Sequence, residues 1–195
     1  MIAWTVATPD MMEMAEEAAS RIDQHGNMQT IILPAKTREE CHKMKVEAWL
    51  EFGWFAWFFD ADFWVISPIS KLPDGGECII GAPNNTPNLD KYPSMPTDHL
   101  ICTGFWGMNP SIQVNKDVIL TALEYQGERP LEDERFINQA AFFHKATVAR
   151  LSTLWNWCGE FPPKNVMAIH AAGRGDKLNW LREVTKQYER THLDK

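Results

Sequence analysis

The sequence predicts an α/β fold in which a mostly parallel central sheet is flanked by helices. Strand-like and helix-like segments alternate from the first residues onward, which is the pattern of parallel sheets. The segment 54–59 (WFAWFF) is apolar at every position, as in a central strand that is covered on both faces. Because the 195 residues show no repeat, low-complexity segment or linker, we predict a single domain over 1–195.

The first strand–helix–strand unit has recognisable boundaries. Residues 2–7 (IAWTVA) predict a strand, and Thr8 followed by Pro9 is typical of the start of a helix. Apolar residues at helical spacing extend that helix to about residue 24. Residues 29–34 (QTIILP) then predict the second strand.

The second unit leads into the apolar strand at 54–59. Thr37 and Glu40 have the spacing of a capping box, which predicts that a helix begins there. Gly53 is typical of a helix end. Strand and helix therefore alternate twice before the apolar strand, as a mostly parallel sheet requires.

The second half of the chain predicts three more strands and three more helices. The strands cover 77–82, 99–108 and 166–170, the helices cover about 112–126, 133–145 and 178–191, and a loop rich in proline and asparagine covers 83–99.

Composition and charge exclude several classes of function. The net charge of −7 argues against non-specific binding of nucleic acid, which needs a basic surface. An anionic small substrate stays open, because a metal ion or a few lysines can reverse the field within one cleft. The four cysteines form no Cys-x-x-Cys pair, so we expect reduced, mostly buried thiols and no structural zinc.

The sequence contains no segment that predicts export or membrane insertion. The N-terminus lacks the basic start and cleavage site of a signal peptide. The longest apolar run, 54–59, is too short to span a bilayer. We therefore expect a cytoplasmic protein without a membrane span.

Two carboxylates follow the apolar strand directly, at Asp60 and Asp62. Residues two apart in extended backbone point to the same side, so both carboxylates would face one point beyond the end of the strand. Ligands bind at that edge in open α/β sheets. Two buried like charges are costly unless a cation neutralises them, and carboxylate oxygens favour Mg²⁺ or Mn²⁺. The alternative is a solvated acidic turn.

Two further segments carry chemistry-bearing residues. Asp133 and Glu134 begin a predicted helix, where the alternative to a functional role is simple capping. His170 ends a short apolar strand and is followed by a glycine-rich turn with Arg174 and Lys177. Glycines allow backbone N–H groups to approach phosphate, and the cations neutralise it. The alternative for His170 is a hydrogen-bonded structural histidine.

Taken in order, these segments resemble retaining GT-A glycosyltransferases, in particular glycosyltransferase family 8, the glycogenin-like and galactosyltransferase-like enzymes. That family has Asp-x-Asp after a strand, then an Asn-x-Gly strand, Asp-Gln-x-x-Leu-Asn, and a final His-x-x-Gly-x-x-Lys-Pro-Trp. The matching segments here are FFDAD at 58–62, TGFWGMN at 103–109, DERFIN at 133–138 and HAAGRGDKLNW at 170–180.

The sequence departs from the family pattern at several places. Cys102 stands where the family usually has asparagine, and Glu134 replaces the glutamine. The final loop has one extra residue and lacks the proline.

The resemblance implies a fold and a metal centre. The fold would be GT-A, a single Rossmann-like domain. Asp60, Asp62 and His170 would hold Mn²⁺ or Mg²⁺, with Asp60 also reaching the ribose of the nucleotide. Lys177 and Gly173 would hold the diphosphate.

The resemblance also implies contacts to the rest of the donor. Ala7 and Thr8 would contact the nucleobase, which is uracil in the family. Lys45 would approach the donor, and Asp133 and Glu134 would lie near the transferred sugar. The partners would be a nucleotide-sugar donor, a UDP-sugar by the family pattern, and a carbohydrate or other hydroxyl acceptor.

The resulting hypothesis is a metal-dependent glycosyltransferase that retains the anomeric configuration. One alternative is a phosphohydrolase of the haloacid dehalogenase type, in which the first Asp of the pair is a nucleophile. That motif normally follows the first strand and continues to a threonine, where this chain has Trp64. Another alternative is a sugar-nucleotide-binding domain without turnover.

Overall fold

In a computed structural model, the chain forms a six-stranded sheet with helices on both faces. The structure describes residues 1–69, 72–73, 75–84, 92, 95–127, 129 and 131–192. The strands are β1 (Ile2–Ala7), β2 (Gln29–Pro34), β3 (Ala56–Phe59), β4 (Phe63–Val65), β5 (Ile79–Pro83), β6 (Ile101–Met108), β7 (Val148–Arg150) and β8 (Ala168–His170). The α-helices are α1 (Met12–Gly26), α2 (Arg38–Glu47), α3 (Gln113–Gln126), α4 (Asp133–Phe143) and α5 (Lys177–His192).

The central sheet is mostly parallel, as the sequence predicts. Its strand order is β2-β1-β3-β6-β5-β7, and among the described strands only β6 runs against the others. Strands β4 and β8 pair separately as a two-stranded antiparallel sheet. The central sheet brings the ends of β1 and β3 side by side, and β4 leads the chain away from that edge.

Several element boundaries differ from the prediction. The apolar strand begins only at Ala56, and Trp54 is 55% exposed, because the chain turns before it enters the sheet. The second helix ends at Glu47 and is continued by a 3-10 turn rather than by α-helix. The prediction omitted β4 and β7, which have three residues each and show no alternation long enough to detect.

The first helix start also differs in detail. Pro9 opens a 3-10 turn that precedes α1, and the Thr8 side chain makes no capping hydrogen bond. One of the two hydrogen bonds of the capping box predicted for α2 is present. The Glu40 backbone N–H donates to the Thr37 hydroxyl.

The hydrophobic core lies in two layers, one on each face of the central sheet. Side chains of β3 alternate between them, so that Trp57 and Phe59 join the layer under α1 and α5, while Phe58 joins the layer under α2, α3 and α4. Phe105 of β6 stacks on Trp57 with ring centroids 4.9 Å apart and on Phe63 at 4.8 Å. This stack joins the central sheet to β4 and fixes the position of the turn between β3 and β4.

Two further expectations concern cysteines and membrane insertion. All four cysteines are free thiols, but the expectation that most are buried is wrong, since only Cys102 is buried and the other three are partly exposed. Within the described part of the chain, no helix combines the length and the apolarity that crossing a bilayer requires.

Candidate metal centre

Asp60 and Asp62 lie in a tight turn between β3 and β4. The Asp60 N–H donates to the Gly104 carbonyl at 2.8 Å, and the Phe63 N–H donates to the Asp60 carbonyl at 2.9 Å. The predicted extended backbone is therefore wrong, because this second hydrogen bond closes a turn of four residues. The turn nevertheless directs both carboxylates to one site beside β6 and β8.

His170 reaches the same site from the end of β8. Strand β8 pairs with β4, and its last residue lies opposite Phe63, one residue after the acidic pair. The His170 Nε2 atom lies 3.3 Å from Asp62 Oδ1. One ligand atom from each of Asp60, Asp62 and His170 lies within 4.8 Å of the others.

The space between these three side chains depends on Gly104 of β6. A Cβ atom at this position would lie 2.7 Å from His170 Cε1 and 3.3 Å from Asp60 Oδ2. The donor set of two carboxylates and one imidazole also suits a divalent cation of the Mn²⁺ or Mg²⁺ kind. The residues present therefore fit the metal that the resemblance implies.

Lys45 of α2 is bound between two carboxylates. Its side chain is 7% exposed, and its Nζ atom lies 3.0 Å from Asp60 Oδ1 and 2.8 Å from Asp133 Oδ2. Burial by itself lowers the pKa of Lys45, but Asp133 and Asp60 outweigh it and raise that pKa above the usual value. Lys45 thus holds one oxygen of Asp60, while the other oxygen, Oδ2, faces the Gly104 gap.

Asp133 belongs to the same charge network. Asp133 accepts hydrogen bonds from Lys45 and from the Thr103 hydroxyl, the latter at 3.3 Å. It also pairs with His42 Nδ1 at 2.7 Å. Burial tends to raise the pKa of Asp133, but Lys45 and His42 hold it well below its usual range. The capping interpretation is wrong here, because the side chain faces these tertiary partners.

Glu134 lies beside Asp133 but in different surroundings. It accepts hydrogen bonds from Asn84 Nδ2 at 2.8 Å, from the Tyr92 hydroxyl at 3.2 Å and from the Thr103 N–H at 3.4 Å. Burial raises the pKa of Glu134, against the opposing effect of Lys45. The surroundings therefore shift the pKa values of the two adjacent acids in opposite directions. They favour the anionic form of Asp133 and disfavour the anionic form of Glu134.

The turn after β8 carries Gly173 and leads to Lys177 at the start of α5. Gly173 has a φ of +72°, which a side chain would disfavour. Lys177 Nζ donates to Asp62 Oδ2. Burial tends to raise the pKa of Asp62, but His170 and Lys177 hold it well below its usual range. Arg174 points elsewhere, donating to the Cys158 carbonyl at 2.7 Å.

A cleft of about 320 Å³ lies beside the three metal-ligand candidates. It is lined by residues from β1, the following turn, α1, α2, the acidic turn and α5, namely Val6, Asp10, Met11, Met14, Arg38, Cys41, His42, Lys45, Phe58, Asp60, Ala61, Asp62 and Lys177. Ala7 and Thr8 are buried at the end of β1, and the neighbours Val6 and Asp10 reach the cleft instead.

Sequence reasoning missed several residues at this site. Arg38, Cys41 and His42 line the cleft from α2, and burial raises the pKa of Cys41 to about 11. Gly104 was part of a matched segment, and a glycine in a strand of bulky residues is a signal of close approach. Asn156 lies in a loop, and its Oδ1 atom accepts a hydrogen bond from His170 Nδ1. Nothing in the sequence indicates this contact.

No protein-family model matches the sequence, and no curated protein matches it either. Solved structures do match the fold. A glycosyltransferase involved in glycosylation of the major capsid of PBCV-1 matches with a TM-score of 0.64 and 13% identity, over 95% of this chain and 98% of that one.

A galactosyltransferase, LgtC, crystallised with donor and acceptor sugar analogues, matches with a TM-score of 0.67 and 9% identity, over 98% of this chain and 96% of that one. An active-site mutant of LgtC matches with a TM-score of 0.66 and 10% identity over the same shares. The chain therefore has the fold of these glycosyltransferases, which confirms the predicted GT-A architecture.

Proposed function

We propose that the protein is a metal-dependent glycosyltransferase that moves a sugar from a nucleoside-diphosphate sugar, a UDP-sugar by the family pattern, to an acceptor hydroxyl with retention. The observation that carries this proposal is the convergence of Asp60, Asp62 and His170 beside a cleft in a glycosyltransferase fold. His170 comes from a distant part of the chain, so adjacency in sequence does not explain why it joins the two carboxylates.

The chain's residues divide the work of binding the donor. Asp60, Asp62 and His170 would hold Mn²⁺ or Mg²⁺, which supplies Lewis acidity to stabilise charge on the departing diphosphate. Lys177, about a third exposed at the cleft, would add positive charge to the same phosphates. The backbone around Gly173, free of any neighbour within 4 Å of a Cβ position, leaves room for phosphate to approach.

The remaining predicted residues would orient the nucleoside and the sugar. Ala7 ends β1 and Thr8 follows it; both are buried, and their neighbours Val6 and Asp10 line the cleft, so a nucleobase would meet backbone groups of this segment. Lys45 pairs with both Asp60 and Asp133, and Glu134 follows Asp133 in the chain, so we propose that Asp133 and Glu134 face the transferred sugar. Lys45 would act on the donor through Asp60, whose orientation it fixes.

The structure argues against the phosphohydrolase alternative. The acidic pair follows β3 rather than the first strand, and Trp64 stands where that motif has threonine. The fold also matches glycosyltransferases of known structure. Only an activity assay distinguishes an enzyme from the other alternative, a sugar-nucleotide-binding domain without turnover.

Substitution of Asp62 tests the proposal. Wild-type protein with Mn²⁺ is expected to release nucleoside diphosphate from one member of a panel of sugar nucleotides, chosen by the rise in melting temperature that binding causes. Asp62→Asn is expected to lower that rate by roughly 100-fold or more, because losing even a hydrogen-bonding partner of a metal ligand costs about 10- to 100-fold.

A matched substitution controls for general effects. Asp98→Asn changes an exposed carboxylate and is expected to leave the rate unchanged. Retention of full Mn²⁺-dependent activity by Asp62→Asn would disprove the metal site. Binding of a sugar nucleotide without any release of product would favour the binding domain.

A further inference from the structure

Asn156 is fixed beside His170 by backbone hydrogen bonds between its loop and β8. The Trp157 N–H donates to the Ala168 carbonyl at 3.1 Å, and the His170 N–H donates to the Trp157 carbonyl at 2.9 Å. Both Asn156 and His170 are nearly fully buried, at 5% and 6% exposure. As a result, Asn156 Oδ1 lies 3.0 Å from His170 Nδ1.

The orientation of the Asn156 amide follows from its second contact. Its Nδ2 atom donates to the Pro83 carbonyl at 2.9 Å, at the end of β5. Rotating the amide by half a turn would place Oδ1 against that carbonyl, so that two acceptors would face each other. The oxygen must therefore face His170, and since an amide oxygen only accepts, Nδ1 must be the donor.

His170 Nε2 faces Asp62 Oδ1 at 3.3 Å, which is also an acceptor, so without a cation both ring nitrogens donate and the ring carries two protons. A cation bound at Nε2 takes the place of the proton there, and the contact to Asn156 keeps the remaining proton on Nδ1. Cys102 Sγ, 3.7 Å from Nδ1, is a weak hydrogen-bonding partner and does not replace the amide.

We propose that Asn156 is a positioning residue that holds His170 in the tautomer able to bind a divalent cation through Nε2. This inference rests on the proposed function, because it assigns a partner to one ligand of the same metal site. Residues that hydrogen-bond to a metal-binding histidine fix its tautomer and its ring orientation, and their loss costs about 10- to 100-fold in metal affinity.

Two substitutions separate this role from simple packing. Asn156→Leu keeps the size of the side chain and removes the acceptor, and it is expected to weaken Mn²⁺ binding about 10-fold or more. Asn156→Asp keeps an oxygen acceptor for Nδ1 but sets its second oxygen against the Pro83 carbonyl. It is therefore expected to lower the melting temperature, while its Mn²⁺ affinity stays within a few-fold of wild type or rises with the added negative charge. Electron paramagnetic resonance of free Mn²⁺ measures each dissociation constant.

The matched control is Asn115→Leu. Asn115 is also fully buried and donates its Nδ2 to a backbone carbonyl, that of Asn109 at 3.0 Å, but it lies on α3, which packs against α2 and α4. It is expected to lower the melting temperature and to leave Mn²⁺ affinity unchanged. Wild-type affinity in a folded Asn156→Leu protein, or equal losses in the Leu and Asp variants, would overturn the proposal.

A second measurement reads the tautomer in the wild-type protein. In protein saturated with Mg²⁺, which is diamagnetic, and carrying ¹⁵N-labelled histidine, His170 is expected to keep its proton on Nδ1 and to bind the cation through Nε2. An Nε2–H tautomer would overturn the role of Asn156 alone. Absence of Mn²⁺ binding by wild-type protein would instead overturn the metal site and with it the proposed function.

Discussion

At the scale of single residues, the clearest requirement of the metal centre is a missing side chain at Gly104. A methyl group there would lie within 3.4 Å of both His170 and Asp60, where a cation would have to fit. We expect Gly104→Ala to weaken Mn²⁺ binding about 10-fold or more, on the scale seen when the residues around a metal are disturbed. Isothermal titration calorimetry with Mn²⁺ measures the change.

Gly107 of the same strand provides the control for this substitution. Its Cβ would lie 2.9 Å from the Ala56 carbonyl and touch no metal-ligand candidate. Gly107→Ala is therefore expected to lower the melting temperature more than Gly104→Ala while leaving Mn²⁺ affinity unchanged. Equal Mn²⁺ affinity in Gly104→Ala and wild type would contradict the proposal that the cation binds in the space beside Gly104.

At the scale of elements, ion pairs of one buried lysine join two helices and a turn. Helix α2 supplies Lys45, the turn after β3 supplies Asp60, and the first turn of α4 supplies Asp133. Breaking a buried pair by removing one partner costs about 3–5 kcal/mol, because the other charge is left uncompensated. The network therefore ties helix packing on one face of the sheet to the geometry of the metal centre at its edge.

The depressed pKa of Asp133 predicts how stability depends on pH. A carboxyl whose pKa is lower in the folded protein than the unfolded value of about 3.9 stabilises the fold fully above that value, and the stabilisation is lost as the pH falls toward the folded pKa. We expect wild-type stability to fall more steeply than that of Asp133→Asn below about pH 5. Urea unfolding across this range measures both slopes.

Asp23 offers a comparison on the surface. Asp23→Asn, an exposed change near the end of α1, is expected to keep the wild-type slope. If Asp133→Asn kept that slope as well, the charge network would contribute no acid-sensitive stability.

The elements that sequence could predict are those defined by local pattern. The apolar alternation and the capping residues predicted β1, α1, β2, α2 and the strand that contains Phe58, because these signals lie within one segment. The reversed direction of β6 and the pairing of β4 with β8 depend on contacts far apart in sequence. Gly104 and Asn156 enter the site only through such long-range contacts. Local pattern marks Gly104 as a point of close approach without indicating its partner, and it gives no signal for Asn156.

At the scale of the whole molecule, the metal centre joins distant parts of the chain. Asp60 and Asp62 follow the central strand β3, whereas His170 ends β8 and Lys177 begins the last helix. The two carboxylates were predictable as a pair because they are adjacent in sequence. Their approach to His170 was predictable only through the order of motifs in the family resemblance, since composition and spacing do not determine tertiary distance.

This arrangement predicts that a bound cation stabilises the fold as a whole. A ligand that binds only the native state contributes about 2.7 kcal/mol at a hundred times its dissociation constant. Mn²⁺ is therefore expected to raise the melting temperature. It is also expected to slow amide exchange in β4 and β8, because the two aspartates precede β4 and His170 ends β8. His170→Gln removes one ligand and is expected to lose both effects. A rise of the same size in His170→Gln would show that Mn²⁺ stabilises the protein from a place other than the cluster of Asp60, Asp62 and His170.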